Sequence, residues 1–246
     1  MMIGHLLKNI SLVATATATI GIFANSASAL TLNSSSGTWS NTVGGSGVVT
    51  QTVGSENQVR WGSPLTNDGK SGLGFTGVGT TTFNPGDTFL LGTLRHFNNV
   101  ISGGTAASQT KLNVNLNFSS PLTTQAFGFD LAIDETPNVA PASSCPYTST
   151  IPCSDKISFP NAFPGNTFNI AGTDYTLQLL GFSDTLGGNL VQDFISQEGG
   201  TNSAYLYGKL TSVTPTSVPE PSSAVAVLAL GALGAGQVIK RKKVIV

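Results

Sequence analysis

The segment Leu112-Asn113-Val114-Asn115-Leu116-Asn117-Phe118 decides the fold, because apolar and polar side chains alternate along it without interruption. Neighbouring side chains of an extended chain point to opposite faces, so this segment would form a strand with one dry and one wet face. Residues 127–133 alternate in the same way. The sequence therefore predicts two half-buried β-strands here.

Short apolar runs separated by Gly, Pro and Asn extend this prediction along the chain. We predict further strands at residues 47–53, 57–61, 87–98, 155–159, 173–182, 190–196 and 203–211. No segment between Leu30 and Ser217 has helical periodicity. The predicted fold is all-β, an antiparallel β-sandwich in which jelly-roll connections are one option, and a closed barrel is the alternative.

The charge of the chain limits its partners. Only 9% of the residues are charged. Between Leu30 and Ser217 six Lys or Arg oppose eleven Asp or Glu, which gives a net charge of −5. Such a surface does not attract phosphate backbones, so we expect no nucleic-acid partner. Few charges and many small polar residues favour an extracellular β-rich domain.

The two cysteines, Cys145 and Cys153, enclose seven residues. In an oxidising compartment this pattern predicts a disulfide that closes a surface loop and adds about 2–3 kcal/mol by the chain-entropy estimate. A redox or metal site is the alternative. The spacing is not that of a C-x-x-C motif, however, and no histidine is close in sequence.

The N-terminus has the pattern of a secretory signal peptide. Lys8 precedes an apolar run at 10–24, and Ala27-Ser28-Ala29 offers small residues at the two positions that a signal peptidase reads. We predict cleavage between Ala29 and Leu30, with an uncleaved first helix as the alternative. The predicted organisation is a signal peptide at 1–29, a β-sandwich domain at 30–212, a spacer at 213–217 and a C-terminal segment at 218–246.

The C-terminal segment has three parts in succession. Val218-Pro219-Glu220-Pro221 comes first, an uncharged run at 222–239 follows, and four cations at 240–243 complete it. As a helix the run would be about 27 Å long, near the thickness of a thin bilayer. Because Lys and Arg favour the cytoplasmic side, we predict a single transmembrane helix with the domain outside.

These three parts, in this order, resemble the PEP-CTERM sorting signal of Gram-negative bacteria. The resemblance implies an exosortase, a membrane-embedded cysteine transpeptidase that would cut near Pro219-Glu220-Pro221 and discard the helix. The two prolines keep this segment extended and outside the helix. The resemblance also implies a destination in the envelope or in extracellular polysaccharide. A permanent single-pass anchor is the alternative.

Two motifs suggest chemistry that their surroundings do not support. Gly72-Leu73-Gly74-Phe75-Thr76-Gly77 matches G-x-G-x-x-G, but a dinucleotide site needs a helix next, and residues 78–85 are not helical. We interpret these glycines as tight turns between strands. His96 is the one histidine after the signal peptide, and no G-x-S-x-G motif is present. Alternation places Arg95 and Phe97 on the opposite face, and we interpret His96 as a hydrogen-bonded structural residue.

Short motifs are spread over nearly the whole exported domain: Trp39-Ser40-Asn41, Val43-Gly44-Gly45, Val59-Arg60-Trp61-Gly62, Ser71-Gly72-Leu73-Gly74-Phe75, Leu91-Gly92-Thr93-Leu94 and Ile133-Asp134-Glu135-Thr136-Pro137-Asn138. They resemble the bacterial THxN family of PEP-CTERM proteins, also described as choice-of-anchor proteins. At the name-giving motif Arg95 replaces the threonine of the family, whereas His96 and Asn98 match. The resemblance implies display at a surface and no enzymatic activity.

Four carboxylates are candidate metal ligands: Asp130, Asp134, Glu135 and Asp155. Calcium prefers carboxylate and carbonyl oxygens collected from loops. Asp134 and Glu135 end a predicted strand, and the disulfide would bring Asp155 near them. Calcium is thus the candidate ion, and the sequence predicts no other cofactor. Solvated loop carboxylates are the alternative.

Together these patterns predict an exported, non-enzymatic surface or matrix protein that binds glycan or is a structural component. Signal peptidase, exosortase and the membrane are its expected processing partners. Four aromatic residues are candidates for stacking on sugars, although we expect the two tryptophans in the core: Trp39, Trp61, Tyr205 and Tyr207. The alternative is an extracellular carbohydrate-active hydrolase with Glu135 and Asp155 as its acid pair.

Overall fold

The computed structural model describes residues 28–137, 142–150 and 152–213 of the 246-residue chain. This part contains thirteen β-strands: β1 (Leu30–Gly44), β2 (Val49–Val53), β3 (Glu56–Trp61), β4 (Ser71–Gly77), β5 (Thr81–Phe83), β6 (Phe89–Asn98), β7 (Ala107–Ser120), β8 (Leu122–Asp134), β9 (Asp155–Ser158), β10 (Phe168–Ile170), β11 (Thr173–Ser183), β12 (Asp193–Ser196) and β13 (Gly200–Val213). One short 3₁₀ turn spans Ala142–Ser144.

The strands form two antiparallel sheets. One has six strands in the order β12-β9-β8-β7-β1-β5, and the other has seven in the order β10-β11-β13-β6-β4-β3-β2. Buried apolar residues from both sheets make one continuous hydrophobic core. The predicted all-β fold of antiparallel sheets is therefore confirmed.

Strand β7 lies in the middle of the first sheet, between β1 and β8. Its inward residues are completely buried: Leu112, Val114, Leu116 and Phe118. Leu112 is paired with Phe129 of β8. Because directly paired residues project to the same face, the two alternating segments of the sequence form one continuous apolar surface.

The glycines of the G-x-G-x-x-G match lie inside β4, so their interpretation as tight turns between strands is wrong. Leu73 and Phe75 of this strand point into the core and are fully buried. On the other face, a Cβ at Gly74 would lie 2.6 Å from the carboxyl carbon of Glu56. Because Gly74 has no side chain, this face of β4 leaves room for the Glu56 side chain of the neighbouring strand β3.

Three further strands, β1, β5 and β10, were not predicted from the sequence. In β1 the pairing with β7 shifts register between Leu32 and Ser34. The buried positions therefore change phase, from Leu30 and Leu32 to Ser35, Gly37 and Trp39. A bulge of this kind interrupts the period-two pattern that identifies a strand. Strands β5 and β10 have only three residues each.

The predicted ends of the chain lie almost wholly outside the described residues. Strand β1 begins at Leu30 and β13 ends at Val213. The signal peptide, of which only its last two residues are described, stays a prediction, as do the spacer beyond residue 213 and the tail at 218–246. Among the residues with a described structure, no helix is long and apolar enough to cross a bilayer.

Gly77, the last residue of β4, allows the end of this strand to approach β1 of the other sheet. A Cβ at this position would lie 1.9 Å from the Ser35 carbonyl oxygen, while Val78 N donates to Ser35 Oγ (2.8 Å) and Ser35 N donates to Val78 O (2.9 Å). We expect Gly77→Ala to lower the free energy of unfolding of the full-length chain by about 1–3 kcal/mol, because backbone atoms must move. Thermal unfolding in mild detergent measures this.

Gly79→Ala is the matched control, because no atom lies within 4 Å of a Cβ placed there. Its effect should stay within about 0.5 kcal/mol. Equal effects of the two substitutions would show that the close approach of β4 and β1 is not a packing constraint.

Candidate functional site

Three carboxylates meet at one end of the two sheets. Glu135 directly follows β8, Asp155 is the first residue of β9, and Glu198 lies between β12 and β13. One oxygen from each lies within 4.8 Å of an oxygen of both others. We call Glu135, Asp155 and Glu198 the acidic cluster.

Strand pairing brings Asp155 to Glu135. Asp134 is paired with Lys156 across β8 and β9, so the residues that follow β8 lie beside the residue that begins β9. Thr136 then fixes the Asp155 carboxylate, because its N–H (2.8 Å) and its hydroxyl (3.2 Å) both donate to Oδ1. One carboxylate oxygen of Asp155 is therefore fixed by hydrogen bonds from Thr136, the residue that follows Glu135.

The predicted disulfide between Cys145 and Cys153 is present, with the two Cα atoms 5.2 Å apart. Its loop is bonded to the connection between β12 and β13. Gln197 Nε2 donates to Pro152 O (2.9 Å), and Gln197 Oε1 accepts from Thr150 N (3.0 Å). The disulfide loop thus braces the residue next to Glu198.

The acidic cluster is poorly solvated. Asp155 is completely buried, Glu198 is 6% exposed and Glu135 is half-buried. Burial raises the pKa of Glu135, and the charges of Asp155 and Glu198 raise it further. Burial also raises the pKa of Asp155, although the bonds from Thr136 oppose the rise. Carboxylates that lie this close together and are this poorly solvated need a proton or a cation between them.

Only two of the four predicted calcium ligands, Glu135 and Asp155, belong to the acidic cluster. Asp130 forms an ion pair with Lys111 (2.8 Å). Asp134 is exposed and accepts a hydrogen bond from the Tyr147 hydroxyl. The structure therefore does not bring Asp130 and Asp134 into the site. Alternation explains the difference for Asp134, because it points away from the face that buries Ile133.

Glu198 was not predicted from the sequence. It lies in a short connection with no periodic pattern, and its approach to Asp155 depends on the pairing of β12 with β9. A single sequence carries no signal for such a contact between distant segments.

Asn98 and Ser196 are beside the acidic cluster. Asn98 Nδ2 donates to Ser196 O (2.9 Å), and Ser196 is directly paired with Asp155. Paired residues project to the same face, so the Ser196 hydroxyl lies on the side of Asp155. All three residues are completely buried. Asn98, which matches the name-giving motif of the resemblance, thus lies next to the site.

His96 is completely buried on the inner face of β6, whereas Arg95 and Phe97 lie on the outer face as alternation predicts. Neither ring nitrogen has a hydrogen-bond partner among the described residues, so the predicted hydrogen-bonded role is wrong. Burial, together with the charge of Arg60, lowers the pKa of His96 to about 3. The ring is neutral near pH 7 and shielded from solvent.

Most of the aromatic candidates for sugar stacking are not available. Trp39 and Trp61 are buried, which confirms the expectation that both pack in the core. Tyr207 is also buried, and its hydroxyl accepts a hydrogen bond from Gly187 N (2.7 Å). Tyr205 is half-buried and remains the one candidate of the four with substantial exposure.

A cleft of about 790 Å³ lies beside β12, between the β11–β12 connection and the start of β13. Its polar side chains include carboxylates, amides and a hydroxyl: Asp184, Asn189, Asp193, Asn202 and Ser203. These groups can donate and accept hydrogen bonds. The cleft is therefore a second place where a polar ligand could bind.

No protein-family model matches this chain, and no curated protein matches it either. The THxN and PEP-CTERM resemblances therefore stay predictions.

The two residues that match the name-giving motif should respond differently to replacement. His96→Leu is expected to raise the free energy of unfolding by about 1 kcal/mol, because two buried nitrogens without partners are removed. Asn98→Leu is expected to lower it by about 1–3 kcal/mol, because Ser196 O loses its donor. Thermal unfolding of the full-length variants at pH 7.5 measures both changes. A loss of stability in His96→Leu as large as in Asn98→Leu would contradict this account.

Proposed function

We propose that this chain is an exported, non-enzymatic surface or matrix protein of a Gram-negative-type bacterium, processed by an exosortase at its C-terminal signal. A β-sandwich, with jelly-roll connections as its finer description, would be the part displayed. Two features of the described residues support the proposal. The disulfide is typical of oxidising compartments, and β1 begins at Leu30, the residue expected to follow signal-peptide cleavage.

The burial of Asp155 is the observation that carries the non-enzymatic part of the proposal. A catalytic carboxylate must come within hydrogen-bonding distance of the reacting group. Asp155 is 0% exposed, and one of its oxygens is held by Thr136. A polymer cannot reach this side chain without separating β9 from its neighbours.

A carbohydrate-active hydrolase is the second candidate, because Glu135 and Asp155 oxygens lie within 4.8 Å of each other. Retaining glycosidases hold their two carboxyl groups about 5–5.5 Å apart. The proximity favours this candidate and the burial of Asp155 opposes it. We therefore give precedence to binding without turnover.

The open cleft beside β12 is where we propose that a polysaccharide binds. Sugars present many hydroxyl groups, which carboxylate and amide side chains recognise by hydrogen bonds. Asp184 and Asn189 line this cleft and are exposed. The cleft contains no Lys or Arg among its lining residues, so a neutral glycan fits it better than an anionic one.

The termini of the mature protein test the export proposal. We expect mass spectrometry of the protein from the envelope or matrix fraction to show Leu30 as the first residue and a last residue near Val218-Pro219-Glu220-Pro221. Deletion of the exosortase gene should leave the tail attached. An intact chain in the cytosol would contradict export, and an unchanged tail in the deletion strain would indicate a permanent anchor.

A polysaccharide retention assay beside a reducing-end assay tests the binding proposal. We expect retention of neutral polysaccharide without product, and a loss of about tenfold in affinity for Asp184→Asn/Asn189→Ala, because two hydrogen-bonding groups are changed or lost. Asn33→Ala, an exposed change outside the cleft, is the matched control. New reducing ends that disappear in Glu135→Ala would support the hydrolase instead.

A further inference from the structure

Several buried oxygens around the acidic cluster have no hydrogen-bond partner. Among the described residues this is true of Glu135 Oε2, Asp155 Oδ2, Asn98 Oδ1 and Ser196 Oγ. Asp155, Asn98 and Ser196 are completely buried. Buried polar atoms in proteins nearly always have a partner. A concentration of unpartnered oxygens at one place indicates a bound group that interacts with oxygen.

The chemistry of these atoms selects a hard cation. All four are oxygens, from two carboxylates, an amide and a hydroxyl, and hard cations such as Ca²⁺ and Mg²⁺ bind oxygen ligands. Neither Glu135 nor Asp155 forms an ion pair with a Lys or Arg of the described residues. Within that part of the chain, no protein cation therefore balances these two charges.

The spacing fits one calcium ion. Oxygens that bind the same Ca²⁺ at about 2.3–2.6 Å lie at most about 5 Å apart. The carboxylate oxygens of Glu135, Asp155 and Glu198 lie within 4.8 Å of one another. Mg²⁺ demands a near-ideal octahedral geometry at about 2.0–2.1 Å and usually keeps several of its waters, so a buried site lined by many protein oxygens suits it less well.

An ion could reach the cluster from solvent through Glu135. This side chain lines a pocket of about 310 Å³ together with Ile101, Ala106 and Thr136. Glu135 therefore faces both the pocket and the buried carboxylates. Water in this pocket could complete a coordination number of about 6–8.

We propose that Glu135, Asp155 and Glu198 bind one Ca²⁺, with Asn98 Oδ1 and Ser196 Oγ as neutral oxygen ligands. The ion would join the end of β8, the start of β9, the β12–β13 connection and the end of β6. It would thus stabilise the disulfide-braced end of the domain. The site is assigned from buried oxygens alone and does not depend on export or on glycan binding.

Calcium titration of the full-length chain tests this proposal. The protein is purified in mild detergent, stripped with EGTA, transferred to chelator-free buffer at pH 7.5 and titrated with CaCl₂ in a calorimeter. We expect one ion per chain, a dissociation constant of about 10⁻⁵–10⁻³ M, and a melting temperature that rises with calcium concentration. MgCl₂ should bind more weakly.

Two substitutions of an acidic residue locate the ion. Glu198→Gln should weaken calcium binding by about tenfold or more, because one ligand charge is lost. Asp130→Asn, a candidate from the sequence that pairs with Lys111 instead, should leave affinity within about twofold. If Glu198→Gln does not fold, Glu135→Gln serves the same purpose at a half-buried position.

Three results would overturn the proposal. The first is the absence of heat and of a melting-temperature shift up to about 10 mM CaCl₂, well above the affinities of extracellular calcium sites; a proton shared by the carboxyls would then neutralise the cluster. The second is loss of binding in Asp130→Asn with retention in Glu198→Gln. The third is equal affinity for Mg²⁺.

Discussion

The apolar rows of β7 and β8 must be kept from water, and most of the structure can be understood from this requirement. The second sheet covers them with its own inward residues, among which Leu73, Phe75 and Leu94 are fully buried. At about 25 cal/mol per Å² of apolar surface, such burial is the main stabilising term of the fold. The residues of β7 and β8 that face away from the core can then be polar, as the repeated asparagines of β7 are.

The same requirement has a consequence at the end of the sheets, where strands stop and polar groups are enclosed with the core. Asp155, Asn98 and Ser196 are as deeply buried as the leucines of β7. Each of them costs free energy unless its polar atoms have partners. The disulfide loop and Gln197 hold this end together, and a cation would supply the interactions that the side chains lack.

How much the sequence could predict depends on the range of each interaction. The alternation at 112–118 and 127–133 is local, so both strands and their dry faces were predicted correctly. Strand β1 was not predicted because its bulge breaks the alternation. Strand β4 was not predicted because its glycines are typical of turns. The acidic cluster was predicted only in part: Glu135 and Asp155 are joined by adjacent strands, whereas Glu198 arrives from a segment 43 positions further along the chain than Asp155.

A crystal structure of the protein grown in CaCl₂ tests most directly whether the buried carboxylates hold a calcium ion at the disulfide-braced end of the domain. We predict one electron-density peak with oxygen ligands from Glu135, Asp155 and Glu198 at about 2.3–2.6 Å. Carboxyl groups in direct contact, with no ion between them, would contradict the account.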